Sequence, residues 1–365
     1  MSKVDSQSVK SKAKKSQEKR SQTKKSKPKT CQKQPEQPPK PVYRVKNWAE
    51  YNESLKHRGS LTFWFDEQVI KAWEYQGIRK RGGKIVYSDL AIQTGLVFRK
   101  LFRLGLRQTE GFVASLVSLL KVSLPVPDYT TFCRRNKTLK VDLPTRKRDE
   151  PLYVVVDSTG LKVFGEGAWK VRQHGYSKRR TWRKLHLAVD EKTGEILSAK
   201  VTKNSKSDAQ QVEPLLEDIK RKITTLAADS AYDTWGVYDT LQEPPNQEEA
   251  IQPIIPPQHN AVIKEEKGDN VPPLPRDEAI RTIDRIGLKK WKEESGYHRR
   301  SLAETAMARY KRIIGGTLAA RTLKRQKVEA KIGCMILNVF GSWVTLDTVK
   351  VDTRHTPCID NSAGR

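Results

Sequence analysis

The stretch that decides the fold class is Pro151–Gly160, which reads PLYVVVDSTG. Its continuous apolar run, rich in β-branched valine, is typical of a strand buried on both faces of a sheet. The run ends in Asp157, a residue that is costly to bury unless it binds a cation or faces water. We therefore predict a central strand that ends at Asp157.

Further strands and helices follow in the order expected of an α/β domain. A second aspartate, Asp229, also ends an apolar run. The pattern predicts strands at Lys184–Val189, Ile196–Val201, Thr224–Ala228 and Ile251–Ile255, a helix over Asp208–Ile219, and two closing helices at roughly 299–314 and 317–339. This alternation predicts an α/β domain with a mixed sheet and flanking helices over residues 149–343.

The preceding segment, residues 44–148, has a helical pattern. Ser88 can cap a helix that ends near Leu101, Thr109 opens a second helix after Gly105, and Asp128 or Thr130 caps a third. Two interpretations fit equally well: a helix-turn-helix-like DNA-binding module, or a small packing or dimerisation domain.

Charge points to a polyanionic partner. The 365 residues include 70 Lys and Arg against 42 Asp and Glu, a formal net charge of +28. Residues 1–43 are rich in Lys, Ser and Gln and poor in apolar residues, which predicts a disordered basic arm; residues 344–365 read as a loose tail. A plain metabolic enzyme is disfavoured, and nucleic acid is the simplest partner.

The cysteines and hydropathy indicate a compartment. The four cysteines are scattered without paired spacing, so we expect neither a metal knuckle nor a disulfide framework. No apolar run approaches the roughly 18–20 residues that cross a bilayer. These features predict a soluble, intracellular (cytoplasmic) protein without a membrane partner.

A third carboxylate lies near the C-terminal end. On a regular helix of about 100° per residue, Tyr297, Arg300, Glu304 and Lys311 lie in one stripe about 60° wide. Such a stripe can be only surface ion pairs, and each aspartate can be only a helix N-cap. If Asp157, Asp229 and Glu304 converge, however, they form a hard-oxygen site for two Mg²⁺ (or Mn²⁺) ions, suited to in-line phosphoryl transfer.

The same residues resemble a known family. The Tyr297–Lys311 spacing is similar to the Tyr-Arg-Glu-Lys signature of bacterial insertion-sequence transposases with an Asp-Asp-Glu (DDE) site. Val154–Thr159 and Ala227–Asp233 resemble the two aspartate strands of that family. Lys178–Asp190 and, less sharply, Gln326–Asn338 resemble the group named after insertion sequence five. The resemblance covers roughly residues 60–340.

The resemblance implies a fold, a reaction and residue roles. It implies a ribonuclease-H-like domain in which Asp157, Asp229 and Glu304 are catalytic and bind metal. Arg300 and Lys311 would contact DNA phosphates, and Tyr297 would place the terminal nucleotides. The implied reaction is metal-dependent cleavage at terminal inverted repeats, then strand transfer into target DNA, by a homodimer or a larger synaptic complex.

A block of basic and aromatic residues extends from Lys162 to Lys184. Basic side chains can hold phosphates and aromatic rings can stack on unpaired bases; alternatively, the tryptophans pack on the core. For His174 and His186 we expect structural or phosphate-binding roles. The predicted DNA contacts in this block are Lys170, Arg172, Lys178, Arg179, Arg180, Trp182, Arg183 and Lys184.

The sequence is therefore compatible with three functions. The first is a DDE transposase. The second is a metal-dependent nuclease of the same fold without strand transfer, and the third is a non-catalytic DNA-binding derivative of a transposase. Intact carboxylates at all three positions count against the third, and the whole Tyr297–Lys311 pattern favours the first over the second.

Overall fold

The computed structural model of the protein describes residues 42–60, 64–78, 84–164, 182–263, 274–342 and 348–351. The chain forms two compact units. One unit includes a two-stranded sheet formed by β1 (Val42–Val45) and β8 (Thr348–Val351), so a strand lies within the predicted tail. The other unit is Val45–Asp347. In the described part of the chain, no helix is long and apolar enough to span a membrane.

The large unit begins with helices whose caps were largely predictable. Ser88 caps α3 by accepting a hydrogen bond from the Ala91 amide, and Asp128 caps α5. The predicted start of α4 at Thr109 is wrong. The Gly105 amide donates to Gln108 Oε1, 2.7 Å away, so the helix begins earlier. The helices are α1 (Trp48–His57), α2 (Glu67–Lys71), α3 (Asp89–Leu101), α4 (Leu106–Leu119) and α5 (Tyr129–Arg135).

A mixed sheet forms the centre of this unit. Its order is β4-β3-β2-β5-β6, with β7 paired to the far end of β2. β3 runs antiparallel to β2 and β4, whereas β5 and β6 run parallel to β2. The strands are β2 (Leu152–Val163), β3 (Trp182–Asp190), β4 (Ile196–Lys203), β5 (Ile223–Ala227), β6 (Gln252–Ile254) and β7 (Thr317–Leu318). This order and polarity are those of the ribonuclease-H-like fold, and the predicted fold class is confirmed.

The central strand differs from the prediction in one respect. β2 does not end at Asp157 but continues to Val163, because this part remains paired with β3, from Asp157 opposite Leu187 to Lys162 opposite Trp182. Pairing with β5, the neighbour on the other side of β2, ends earlier, where Val155 lies opposite Ala227. Asp157 is therefore a mid-strand residue beside the open carboxyl end of β5.

Helices cover both faces of the sheet. They are α6 (Val212–Glu217), α7 (Trp235–Gln242), α8 (Pro275–Ile286), α9 (Leu288–Glu294), α10 (Ser301–Arg309) and α11 (Leu323–Ser342). One core joins Ile92 of α3 and Phe132 of α5 to Leu187 of β3 and Ile336 of α11. The N-terminal helices thus share a core with the sheet, and the boundary at residues 148 and 149 stays a prediction.

The two closing helices begin and end elsewhere than expected. A 3₁₀ turn, Tyr297–Arg300, precedes α10, and a π-helical turn, Tyr310–Ile314, follows it. Gly315 then adopts φ +105°, a conformation open mainly to glycine, and the chain turns into β7, which pairs with β2. The last helix therefore begins at Leu323 rather than at residue 317.

Candidate active site

Asp157 lies on the sheet face that α10 covers. Alternate residues of a strand share a face, and Val155 packs with Ala303 of α10 and Ala227 of β5. The Asp157 side chain is 15% exposed. Its Oδ1 accepts a hydrogen bond from the Ser158 amide at 2.7 Å, and its Oδ2 lies 3.3 Å from Arg300 Nη1. Backbone and arginine together hold this carboxylate in place.

Asp229 lies next to Asp157 by strand register. Each aspartate follows a paired residue by two positions, since Val155 and Ala227 are partners in the parallel ladder. Asp229 Oδ1 accepts a hydrogen bond from the Ala231 amide at 2.9 Å and so caps the 3₁₀ turn Ser230–Tyr232. The capping interpretation is thus correct for Asp229, but a carboxylate that caps with one oxygen can still bind a cation with the other.

Glu304 approaches the aspartates from the covering helix. Its neighbours Ala303 and Ala306 are buried against the sheet, whereas the Glu304 side chain is 56% exposed. Arg300, one turn earlier, pairs with Glu304 through Nη2 and with Asp157 through Nη1. One guanidinium thus bridges the helix carboxylate and the strand carboxylate.

The charges of the two other carboxylates act on Asp157. Burial is the main cause that raises the pKa of Asp157, and the negative charges of Asp229 and Glu304 raise it further. The Ser158 amide and the Arg300 guanidinium act in the opposite direction. One arginine among three carboxylates leaves the group with an excess of negative charge, which favours a bound cation.

The chemical type of these donor atoms suits a hard divalent cation. Carboxylate oxygens are the ligands that Mg²⁺ and Mn²⁺ prefer. Within the described ranges, no three His, Cys, Asp or Glu side chains are arranged so that they could hold a metal ion together. The Arg300 guanidinium instead occupies the gap between Asp157 and Glu304. Binding of a cation by all three carboxylates therefore requires Arg300 to change partners.

Tyr297 joins this group, whereas Lys311 does not contact it. The Tyr297 ring centroid lies 5.9 Å from the Arg300 guanidinium carbon and 6.1 Å from the Trp291 ring, and burial raises the pKa of its hydroxyl. Lys311 is exposed in the π-helical turn. The expected stripe assumed one regular helix; the 3₁₀ and π turns break that regularity.

The basic block is only partly described. Trp182 lies over Gly160, where a Cβ atom would be 3.4 Å from the indole ring. Arg183 Nε donates to Gln326 Oε1 at 2.7 Å, and Lys184 Nζ lies 3.0 Å from Asp208 Oδ1. These three side chains therefore have partners within the protein. The other predicted DNA contacts, Lys170, Arg172, Lys178, Arg179 and Arg180, and also His174, lie outside the described residues.

Sequence reasoning missed a polar group on the opposite face of the sheet. His186 is fully buried there, and its Nε2 lies 2.8 Å from Thr202 Oγ1, which favours the structural role expected for it. Asp208 and Tyr232 lie beside it. The only signal for them was the position of Tyr232, three residues after Asp229.

A ribonuclease-H-like sheet that gathers carboxylates from two neighbouring strands and one covering helix defines a class of enzymes that process nucleic acids. Two family models, each described as a transposase DDE domain, match residues 56–166 and 149–339. The second match spans more than half of the chain, and the chain belongs to the transposase DDE-domain family. It is a DNA transposase, an enzyme of DNA cleavage and strand transfer, and the first of the three functions is confirmed.

A solved structure is similar at a much lower level. It is the "Drosophila P element transposase strand transfer complex", with 11% sequence identity and a TM-score of 0.29, covering 80% of this chain and 86% of that chain. The family assignment rests on the sequence models.

Proposed function

We propose that Asp157, Asp229 and Glu304 are the catalytic carboxylates, that they bind two Mg²⁺ (or Mn²⁺) ions, and that the substrate is the terminal inverted repeats of an insertion sequence of the group named after insertion sequence five. The observation that carries this is the joint placement of the three side chains. Strand register sets the aspartates side by side, and Arg300 links Asp157 to Glu304.

The three carboxylates differ in exposure and in hydrogen bonding, and this difference fits their roles. Asp157 is held by its backbone neighbour and by Arg300, and Asp229 is held by its own turn. Glu304 is the exposed member, so its side chain is free to adjust when ligands arrive. When bound, two divalent ions supply an activated water or 3′-hydroxyl and stabilise the leaving oxygen.

Arg300 has a second role in this proposal. Its planar guanidinium donates hydrogen bonds in a fork that suits a phosphate as well as it suits a carboxylate. We expect it to leave Glu304 and Asp157 and to bind a DNA phosphate at the cut. Tyr297, packed beside Arg300, would place the terminal nucleotides, and Lys311 would contact the flanking backbone.

The proposed reaction has two steps, hydrolysis and then strand transfer. Water attacks the phosphorus at the transposon end, the bond to the 3′-oxygen breaks, and a 3′-hydroxyl is released. That hydroxyl then attacks a phosphorus of the target DNA and displaces another 3′-oxygen, so one phosphodiester bond is exchanged for another. Neither step needs a covalent enzyme intermediate.

The remaining predicted contacts complete the proposal. The basic block from Lys162 to Lys184 and the basic arm would bind DNA backbone, and the helices of residues 44–148 would contribute DNA binding or dimerisation. We infer a homodimer or a larger synaptic complex that acts on DNA in the bacterial cytoplasm, at the nucleoid.

The test is cleavage and strand transfer with Mg²⁺ on DNA that carries the element's own ends. Wild type should give joined products, and Glu304→Gln should give none while it still binds the DNA. Glu294→Gln is the matched control, because Glu294 is equally exposed and its ion-pair partner among the described residues is Lys290, 3.8 Å away. Cleavage by Glu304→Gln at the wild-type rate would remove Glu304 from the site, and nicks without joining would indicate a nuclease.

A further inference from the structure

A second polar group lies directly behind Asp157, on the opposite face of β2. Ser158 follows Asp157 in the strand and so faces the other way. It lies opposite His186 of β3, whose Nε2 contacts Thr202 of β4 at 2.8 Å. Asp208 and Tyr232 complete this group. The rear cluster is defined as Ser158, His186, Thr202, Asp208 and Tyr232.

The centre of the rear cluster is buried and partly unsatisfied, whereas the Asp208 side chain is 23% exposed. His186 and Tyr232 are 0% and 1% exposed. His186 Nδ1, Asp208 Oδ1 and the Tyr232 hydroxyl are buried atoms that form no hydrogen bond with the described residues. His186 Nδ1 and Asp208 Oδ1 are 3.6 Å apart, and Lys184 Nζ pairs with Asp208 Oδ1 at 3.0 Å without hydrogen-bond geometry.

Such atoms are rarely left without partners in folded proteins, because the lost hydration is not replaced. Here three of them belong to neighbouring side chains and offer both donors and acceptors. The cluster therefore offers hydrogen-bonding groups directly behind the two aspartates.

The cluster also reaches both aspartate-bearing segments. Tyr232 ends the 3₁₀ turn that Asp229 caps. Burial is the main cause that raises the pKa of Tyr232, and the charges of Asp208, Asp157 and Asp229 raise it further. The Ser158 hydroxyl lies beside it, outside hydrogen-bond geometry.

We propose that the rear cluster positions the two catalytic aspartates, with Tyr232 as the positioning residue whose buried side chain fixes the Asp229 turn against β2. This inference rests on the proposed function. Its physical reason is that Asp229 is capped only within its own turn, whereas paired metal ions require two carboxylates at a fixed separation.

The decisive variant is Tyr232→Phe, which keeps the buried ring and removes only the hydroxyl. Loss of a group that orients metal ligands typically lowers metal affinity by about 10- to 100-fold. We expect weaker Mn²⁺ binding by calorimetry without DNA, and a rise of about 10-fold in the Mg²⁺ concentration for half-maximal cleavage. The thermal midpoint and DNA affinity in EDTA should stay near wild type.

Tyr310→Phe is the matched control. Tyr310 is also fully buried with an unpaired hydroxyl, but it packs in the other core, among Ala306, Ile314 and Leu318. Its variant should bind Mn²⁺ like wild type. Asp208→Asn tests the same network from its other end and replaces Tyr232→Phe if that protein does not fold.

The outcomes separate this inference from the proposed function. If Asp157→Asn and Glu304→Gln weaken Mn²⁺ binding but Tyr232→Phe and Asp208→Asn do not, the rear cluster is only structural and the inference is wrong. If Asp157→Asn and Glu304→Gln themselves bind Mn²⁺ like wild type, the proposed metal site is wrong. A Mn²⁺ affinity lowered in both rear variants and unchanged in Tyr310→Phe supports the positioning role.

Discussion

Two neighbouring residues of β2, Asp157 and Ser158, face opposite sides of one sheet, and their surroundings differ sharply. On the front, Asp157 lies beside Arg300, which also pairs with the exposed Glu304. At the rear, Ser158 lies beside Tyr232, which is 1% exposed. The comparison teaches that one strand can present an accessible carboxylate on one face and a hydroxyl beside a buried tyrosine on the other.

The strongest test of this contrast substitutes the two neighbours. Asp157→Asn keeps the shape of the side chain but removes the charge that would bind metal, a loss of several kcal/mol that corresponds to about a thousandfold slower cleavage. Ser158→Ala should change the rate by less than about tenfold, since the Ser158 hydroxyl belongs to the rear cluster and faces away from the metal site. Single-turnover cleavage measures both, and equal losses would contradict the contrast between the faces.

Arg300→Ala should separate DNA binding from metal binding. Without the Arg300 guanidinium, the protein should bind transposon ends more weakly. The slope of log K against log salt should decrease by the amount expected for about one phosphate contact. Mn²⁺ affinity should rise, because no cation then competes for Asp157 and Glu304. Arg299→Ala is the control, since Arg299 pairs with Glu191 instead. Weaker Mn²⁺ binding in Arg300→Ala would mean that Arg300 orients the carboxylates.

His186 should make the stability of the rear face depend on pH. Burial lowers its pKa to about 4, with Asp208 acting against this and Lys184 in the same direction. The unfolded chain then binds more protons than the folded one between pH 4 and about 6.5, so stability is full above that window and falls as pH decreases through it. The effect is at most about 3 kcal/mol.

Urea unfolding of wild type and His186→Gln across that window isolates this contribution. The difference in unfolding free energy between the two proteins should shrink by up to about 3 kcal/mol as the pH falls from 7 to 4, because glutamine does not titrate. A difference that stays constant would mean that the histidine accepts a proton without cost.

The smallest effect is expected for Lys311→Ala. Lys311 is exposed and forms no ion pair with the described carboxylates, so stability and Mn²⁺ binding should stay unchanged. DNA affinity should fall, and the slope of log K against log salt should decrease by the amount expected for about one phosphate contact. Lys290→Ala, at another exposed lysine, serves as the control. An unchanged salt slope would assign Lys311 a structural role.

Local features of the fold were predictable, and features that depend on distant partners were not. The caps Ser88 and Asp128 act within one helical turn, so the sequence beside them contains all the information. The continuation of β2 past Asp157 depends on β3 and β7, and β7 is about 160 positions away. The turn at Gly315 was correctly placed, but the strand after it was not predicted.

The candidate site shows the same division. Asp157 and Asp229 were recognisable because each interrupts or ends an apolar strand, a pattern visible in one window of sequence. The bridge from Arg300 to Asp157 required the helix to be docked on the sheet. The rear cluster left no periodic trace, since Asp208 and Tyr232 are single polar residues in unrelated turns.

The pairing of Lys100 with Glu329 has a consequence for how such an enzyme can be altered. Their charged atoms are 2.9 Å apart with side chains only 10% and 4% exposed, and Glu329 also accepts the amides of Ala319 and Ala320. A chimera that exchanged the N-terminal helices for those of a relative without this lysine would leave Glu329 as a buried anion without its cation. The protein would lose about 3–5 kcal/mol of folding stability. A functional recombinant of two such elements must therefore inherit Lys100 and Glu329 together.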